Sequence, residues 1–179
     1  MSALPRLGFR LAREADVETI VRLVESAYRG EASRAGWTTE ADFLAGQRTD
    51  ADEVASLIRG LPATRILLAE AEGRVVGSVR IDDEGDAGYV GMFAVVPKLQ
   101  GRGVGGALLD EAERVIRDEL GRARVRMTVI SIRAPLIAWY ERRGYARTGQ
   151  TEPFPYGNAR FGIPLRDDLV FVVLEKRLG

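Results

Sequence analysis

Apolar positions along this chain follow two rhythms, and the switches between them mark out its elements. Residues 9–12 read as a first strand, after which Val17, Ile20, Val24 and Ala27 fall on one face of a helical repeat. That repeat predicts a helix running from an Asp16 N-cap to Tyr28. Residues 29–48 are polar and punctuated by glycine, with a short helical piece expected at 40–45, and a further helix at 51–59 is stopped by Gly60 and Pro62. Segments 65–70 and 74–82, rich in Val, Ile and Leu, pair as a hairpin across Glu72-Gly73. The tip Asp82-Asp83-Glu84-Gly85-Asp86 reads as an exposed turn with solvated charges. Residues 87–96 form the central strand, and 103–120 a helix that buries Val104, Leu108, Ala112, Val115 and Ile116. A strand at 124–130, a helix opened by Pro135, and strands at 145–148 and 169–176 complete the order. Antiparallel strands first and crossover helices later imply an α/β (α+β) architecture, a mixed twisted sheet flanked by helices. No repeat or linker interrupts it, so residues 1–179 are expected to form one domain.

The central strand passes into its helix through Gln100-Gly101-Arg102-Gly103-Val104-Gly105-Gly106, a turn suited to a phosphate. Glycine lets the backbone approach an anion closely, and the first amides of a helix point outward before they find acceptors. A Walker-type loop needs Lys and then Ser or Thr after its last glycine, whereas Ala107 and Leu108 follow here. Gly101, Gly103 and Gly106 satisfy G-x-G-x-x-G literally. A NAD site also wants an acidic residue about twenty positions further on, and the next strand and its end offer Met127, Thr128, Ser131 and Arg133. Only an NADP-dependent reductase using Arg133 survives from that class.

Gln100, Gly103 and Gly105 also match Q/R-x-x-G-x-G/A, directly after Val95-Val96-Pro97, and Leu136-Ile137-Ala138-Trp139-Tyr140-Glu141-Arg142-Arg143-Gly144-Tyr145 follows one crossover later. In these two motifs the sequence resembles the GNAT superfamily of acyl-CoA-dependent N-acetyltransferases, from Phe9 to Tyr145 and more loosely beyond. The resemblance implies a sheet of about seven strands and acetyl-CoA as cosubstrate, with no metal. It implies that main-chain groups of Phe93, Ala94 and Val95 hold the pantetheine arm and polarise the thioester carbonyl. Gln100, Gly101, Arg102, Gly103, Val104, Gly105 and Gly106 would hold the pyrophosphate, with Arg102 as a counter-charge. It also implies that Tyr140 is the general acid that returns a proton to the departing thiolate; Trp139 beside it reads as core. Members often carry Asn near the position of Arg133, a departure in this chain.

The acceptor side is read from two segments. Glu40 follows Gly36-Trp37-Thr38-Thr39 in the first long loop, and is either a base, direct or through water, or a first-turn charge after a threonine cap. Residues 152–164 form a second long connection, in which Phe154, Tyr156 and Phe161 either wall a pocket or seal the core edge or a dimer interface. Trp37, Arg48, Tyr89, Phe154, Tyr156 and Arg160 are the expected acceptor-binding residues, and Arg48 with Arg160 would favour an acceptor bearing a carboxylate or phosphate.

Composition narrows the chemistry. The chain has no histidine and no cysteine, which removes serine-histidine hydrolysis, zinc catalysis and a thiol nucleophile. Lys plus Arg and Asp plus Glu balance at 26 each, a charge that recruits neither nucleic acid nor membrane. A cytoplasmic monomer or homodimer acting on a small-molecule amine is the expectation. An acyl-CoA sensor without turnover is the alternative from another class.

Overall fold

The computed structural model describes residues 6–179. Strand β1 (Leu7–Leu11) leads through a short 3-10 turn into helix α1 (Val17–Tyr28), followed by α2 (Gly30–Ser33), β2 (Leu44–Ala45) and α3 (Ala51–Arg59). Strands β3 (Thr64–Ala71), β4 (Arg74–Asp83) and β5 (Gly88–Val95) precede α4 (Val104–Arg114), β6 (Arg124–Ile130) and α5 (Ala134–Glu141). The chain ends with β7 (Ala146–Pro153), β8 (Ile163–Pro164) and β9 (Val170–Arg177). The seven-stranded sheet runs β1-β3-β4-β5-β6-β9-β7, antiparallel except for β5 beside β6, while β2 and β8 form a small second sheet. Among the described residues no helix is long and apolar enough to cross a membrane.

Helices cover both faces of the sheet, and β3 shows how the sequence encodes this. Its unbroken apolar run sends Ile66 and Leu68 into the layer of α1 and α3, and Leu67 and Ala69 into the layer of α4. Ile20 and Val24 of α1 and Leu108 and Leu109 of α4 are fully buried in these layers, each contributing roughly 1.5–3 kcal/mol by burial. Asp50 caps α3 by accepting from the Glu53 amide at 2.8 Å, the geometry that Ser, Asp and Asn supply at helix starts.

Four expectations need correction. Residues 40–45 make a hydrogen-bonded turn and the strand β2 rather than a helix, because Leu44 pairs with Pro164 across the sequence. Helix α4 stops at Arg114 and gives way to a π turn, Val115–Glu119, closed by the Leu120 amide on the Val115 carbonyl at 3.1 Å. The strand at 145–148 extends to Pro153, paired with β9 around an irregularity between Arg147 and Thr151. The acidic tip at 82–86 is paired: Asp83 meets Arg122 at 2.7 Å, Asp86 meets Arg124 at 2.6 Å and Glu84 meets Arg126 at 3.1 Å. The Arg122 guanidinium, with the Gly85 amide, holds the Asp83 carboxyl down at about 2.

Candidate functional site

The site begins where a parallel ladder fails. β5 and β6 pair only at Gly88 with Val125 and Tyr89 with Arg126, and beyond Tyr89 the two strands part. On its other edge β5 slips register against β4 between Ser78 and Arg80, and Met92 takes a φ of 45°, a left-handed conformation rare for a side-chain-bearing residue. The Val96 amide donates to the Val76 carbonyl across β4 at 2.9 Å, so by strand alternation the main-chain groups of Val95 face the gap. There Gln100 Nε2 donates to the Val95 carbonyl at 3.1 Å, and the Tyr28 hydroxyl donates to the Phe93 carbonyl.

On the α4 side of the gap lies a cavity of about 540 Å³. Its floor is the glycine turn, where Gly101 and Gly103 have φ of 74° and 86°. Among the described residues the amides of Gly101 through Gly106 have no acceptor, and the Ala107 amide is the first to find one, the Gly103 carbonyl at 3.1 Å. A Cβ on Gly106 would lie 3.3 Å from Arg143 Nη2, so a glycine there leaves room for that guanidinium at the helix start. Arg143 is fixed by stacking 3.6 Å from the Trp139 ring centroid and by donating to the Trp139 carbonyl at 3.2 Å. Aimed amides, a helix start and a positioned cation fit a pyrophosphate.

Arg142 and Arg143 both line this cavity, and the sequence reading missed them. The adjacent basic pair Arg142-Arg143, set off from Tyr140 by one residue, was the available signal. Four expected cofactor residues offer the cofactor no free side chain, which leaves the main-chain roles of Ala94 and Val104 as they were. Ala94 and Val104 point into the core, and the exposed Arg102 is not in the cavity wall. The Gln100 side chain is spent as a staple: it donates to Thr38 Oγ1 at 2.8 Å and accepts from the Trp37 amide at 2.9 Å, tying the first long loop to the turn. Trp37, expected on the acceptor side, instead lines the cofactor cavity, 6.3 Å from Trp139 between centroids. With the Arg143 charge removed, an Arg143→Ala protein is expected to bind acetyl-CoA about tenfold more weakly, with a flatter dependence on salt in calorimetric titration.

Across the gap lies a second cavity of about 370 Å³, lined by Glu40, Arg48, Tyr89, Phe154 and Phe161 among others. Tyr28, Phe93, Leu136 and Tyr140 line both cavities, so the two spaces meet at these residues. Tyr140 is buried at the junction, its ring edge-on to Trp139 and Tyr145 at 5.1 and 5.7 Å. Its hydroxyl has no protein partner among the described residues. Burial, then the neighbouring Tyr28, pushes its phenol above the ordinary value, so it stays protonated. Tyr89 lines the same cavity and shares a 3.0 Å hydrogen bond with Thr128 Oγ1.

Glu40 is not a free base. It is buried, one carboxylate oxygen meets Arg29 and the other meets Arg133 at 2.9 Å. Arg133 also donates to the Thr38 carbonyl at 2.6 Å, so it clamps the first long loop and does not face the glycine turn as an NADP site requires. Replacing Glu40 with glutamine strands two buried guanidiniums; the expected cost is about 2 kcal/mol, a fall in melting temperature of about 4–8 °C by calorimetry. Tyr156 and Arg160 are also corrected. Tyr156 stands outside the cavity, its hydroxyl donating to the Arg166 carbonyl and accepting from the Leu169 amide at 2.7 Å. Arg160 pairs with Asp50 at 3.0 Å on the surface. Of that loop's aromatics, Phe154, stacked on Phe171 at 5.7 Å, and Phe161 wall the cavity.

The family model described as Acetyltransferase (GNAT) family matches residues 20–145. No curated protein matches the chain. Among solved structures, Ard1 from Thermoplasma volcanium is 19% identical with a TM-score of 0.71, covering 97% of this chain and 98% of its own. The yncA structure from Salmonella typhimurium, which holds its cofactor acetyl-CoA, is 20% identical with a TM-score of 0.69, covering 97% and 94%. Spermidine/spermine N-acetyltransferase SpeG from Vibrio cholerae is 16% identical with a TM-score of 0.66, covering 96% and 92%. At these identities the likeness is one of fold.

Proposed function

The chain belongs to the acetyltransferase (GNAT) family, and on that premise we propose that it passes the acetyl group of acetyl-CoA directly to a primary amine of a small metabolite or amino-acid-like acceptor. The observation that carries this reading is the common wall of Tyr28, Phe93, Leu136 and Tyr140 between a cavity floored by unpartnered amides and a second, polar cavity. Bound acetyl-CoA supplies an acyl group already activated as a thioester. The chain's part is to align and polarise it. Glycine-turn amides and Arg143 hold the pyrophosphate, and the gap-facing main chain of β5 takes the pantetheine arm as an added strand. A β5 amide at Phe93 or Val95 donates to the thioester oxygen as negative charge grows there.

The amine arrives from the second cavity as a free base, its proton passed to water, since Glu40 is committed to two arginines. The C–N bond forms, the C–S bond breaks, the Tyr140 hydroxyl gives its proton to the departing sulfur, and the proton shed by the newly acylated nitrogen returns through water to Tyr140. In that buried wall a thiolate is as poorly solvated as a phenolate, which makes the proton's transfer to sulfur feasible despite the raised phenol. The test is release of free CoA thiol from acetyl-CoA in the presence of a panel of amines, with mass spectrometry of the acceptor for the added acetyl group. No acetylated amine in a broad panel, together with tight acetyl-CoA binding, would replace this reading with that of a sensor.

A further inference from the structure

The acceptor cavity carries more positive charge than its acids neutralise. Arg29 and Arg133, with side chains 4% and 9% exposed, share the single carboxylate of Glu40. Arg29 Nε is buried without an acceptor. Arg48 lines the same cavity and makes no ion pair among the described residues; only its backbone amide is engaged, by Glu25 at 2.6 Å. Of the other charged groups of the wall, Arg80 pairs with Asp82 at 2.8 Å and Glu152 lies 3.5 Å from Arg126, while Glu53 accepts only the neutral Thr49 hydroxyl at 2.6 Å, so the wall sets the four arginines Arg29, Arg48, Arg80 and Arg133 against the three carboxylates Glu40, Glu53 and Glu152. Buried excess charge is costly unless an opposite charge meets it.

The excess is also placed. The guanidinium carbons of Arg48 and Arg133 lie 5.9 and 5.6 Å from the centroid of the Tyr28 ring. The hydroxyl of that ring bonds the Phe93 carbonyl, at the junction where the two cavities meet. One tyrosine ring therefore separates the cations from the point of transfer.

We propose that the acceptor is an anion-bearing amine of the α-amino acid class, its carboxylate held by Arg48 beside the Arg29–Glu40–Arg133 cluster and its amine directed at Phe93. A planar guanidinium without a protein partner suits bidentate capture of a carboxylate, and the ring-width spacing sets acid and amine a few bonds apart. The same charge repels polyamines and other polycationic acceptors. This proposal rests on the acetyltransferase reading above and is tested so that the two fail separately.

Steady-state acetylation is measured with a panel of L-amino acids, the matching amino acid amides, the matching decarboxylated amines and spermidine. In parallel, calorimetry follows binding of the same L-amino acids to the cofactor-free protein. At least one L-amino acid is expected to be acetylated with kcat/KM at least tenfold above its amide and its decarboxylated amine. Arg48→Ala should raise KM for that amino acid about 10- to 100-fold, leave the acetyl-CoA affinity unchanged and level the preference over the amide. Arg48→Lys should restore part of it. Equal or better turnover of the uncharged-tail amines or of spermidine, or a KM indifferent to Arg48, overturns the anion site while leaving acetyl transfer standing. Amino acid binding that Arg48→Ala abolishes, with no acetylation of any amine, upholds the anion site and overturns acetyl transfer.

Discussion

A Gly103→Val protein is expected to bind acetyl-CoA at least about 100-fold more weakly than the parent while still folding, with a melting temperature lower by about 2–10 °C. Gly103 caps α4 in the left-handed region, at a φ of 86°, and is exposed. A β-branched residue held there costs of order 1–3 kcal/mol in backbone strain. The chain can relieve that strain by turning the peptide, which redirects the amides that would meet the pyrophosphate. The valine side chain also occupies the approach that a hydrogen atom leaves open. Because Gly103 is exposed, the fold should survive the strain, and the loss of binding in calorimetric titration should far exceed what the modest shift in the thermal melt accounts for. Affinity within about fivefold of the parent would show that the anion binds elsewhere.

Tyr140→Phe is the second large effect. The expected result is a fall in kcat of about 10²- to 10³-fold, within the range for a displaced general acid, with the affinity for acetyl-CoA held within about twofold. The substitution leaves the edge-on packing with Trp139 and Tyr145 in place and removes only a hydroxyl without a protein partner. Folding should therefore be indifferent to it, and single-turnover kinetics should place the defect in the transfer step. A kcat within about twofold of the parent would make Tyr140 a wall of the junction and nothing more.

Much of this was legible in the sequence, for local reasons. Helix α3 at Ala51–Arg59 and strand β6 at Arg124–Ile130 are where periodicity and the stop at Gly60 put them. The glycine turn was legible because its requirement is backbone freedom, which residue type alone reports. What could not be read were contacts between distant segments. Glu40 looked like an available carboxylate because nothing near it in sequence shows that Arg29 and Arg133 close on it from α1 and the start of α5. Trp37 was expected beside the acceptor, but its loop is pulled to the cofactor side by the Gln100 side chain. Tyr156 and Arg160 share a loop with Phe154, yet the loop brings Phe161 and the run from Glu152 to Pro155 to the cavity and leaves Tyr156 and Arg160 to brace it from outside. Composition identifies which residues a long loop carries, and only its path decides which of them face a cavity.

The parting of β5 from β6 past Tyr89 places a sheet edge in the middle of the molecule. Proteins ordinarily blunt such edges with charge, proline or a covering element, because a row of free amides and carbonyls templates any extended chain that reaches it. Here two carbonyls of that row are occupied by Tyr28 and Gln100, and the amides are left for the pantetheine arm. On the proposed reading the cosubstrate serves as the missing strand, so the exposed β5 amides are expected to exchange their hydrogens faster in the cofactor-free protein than in the acetyl-CoA complex.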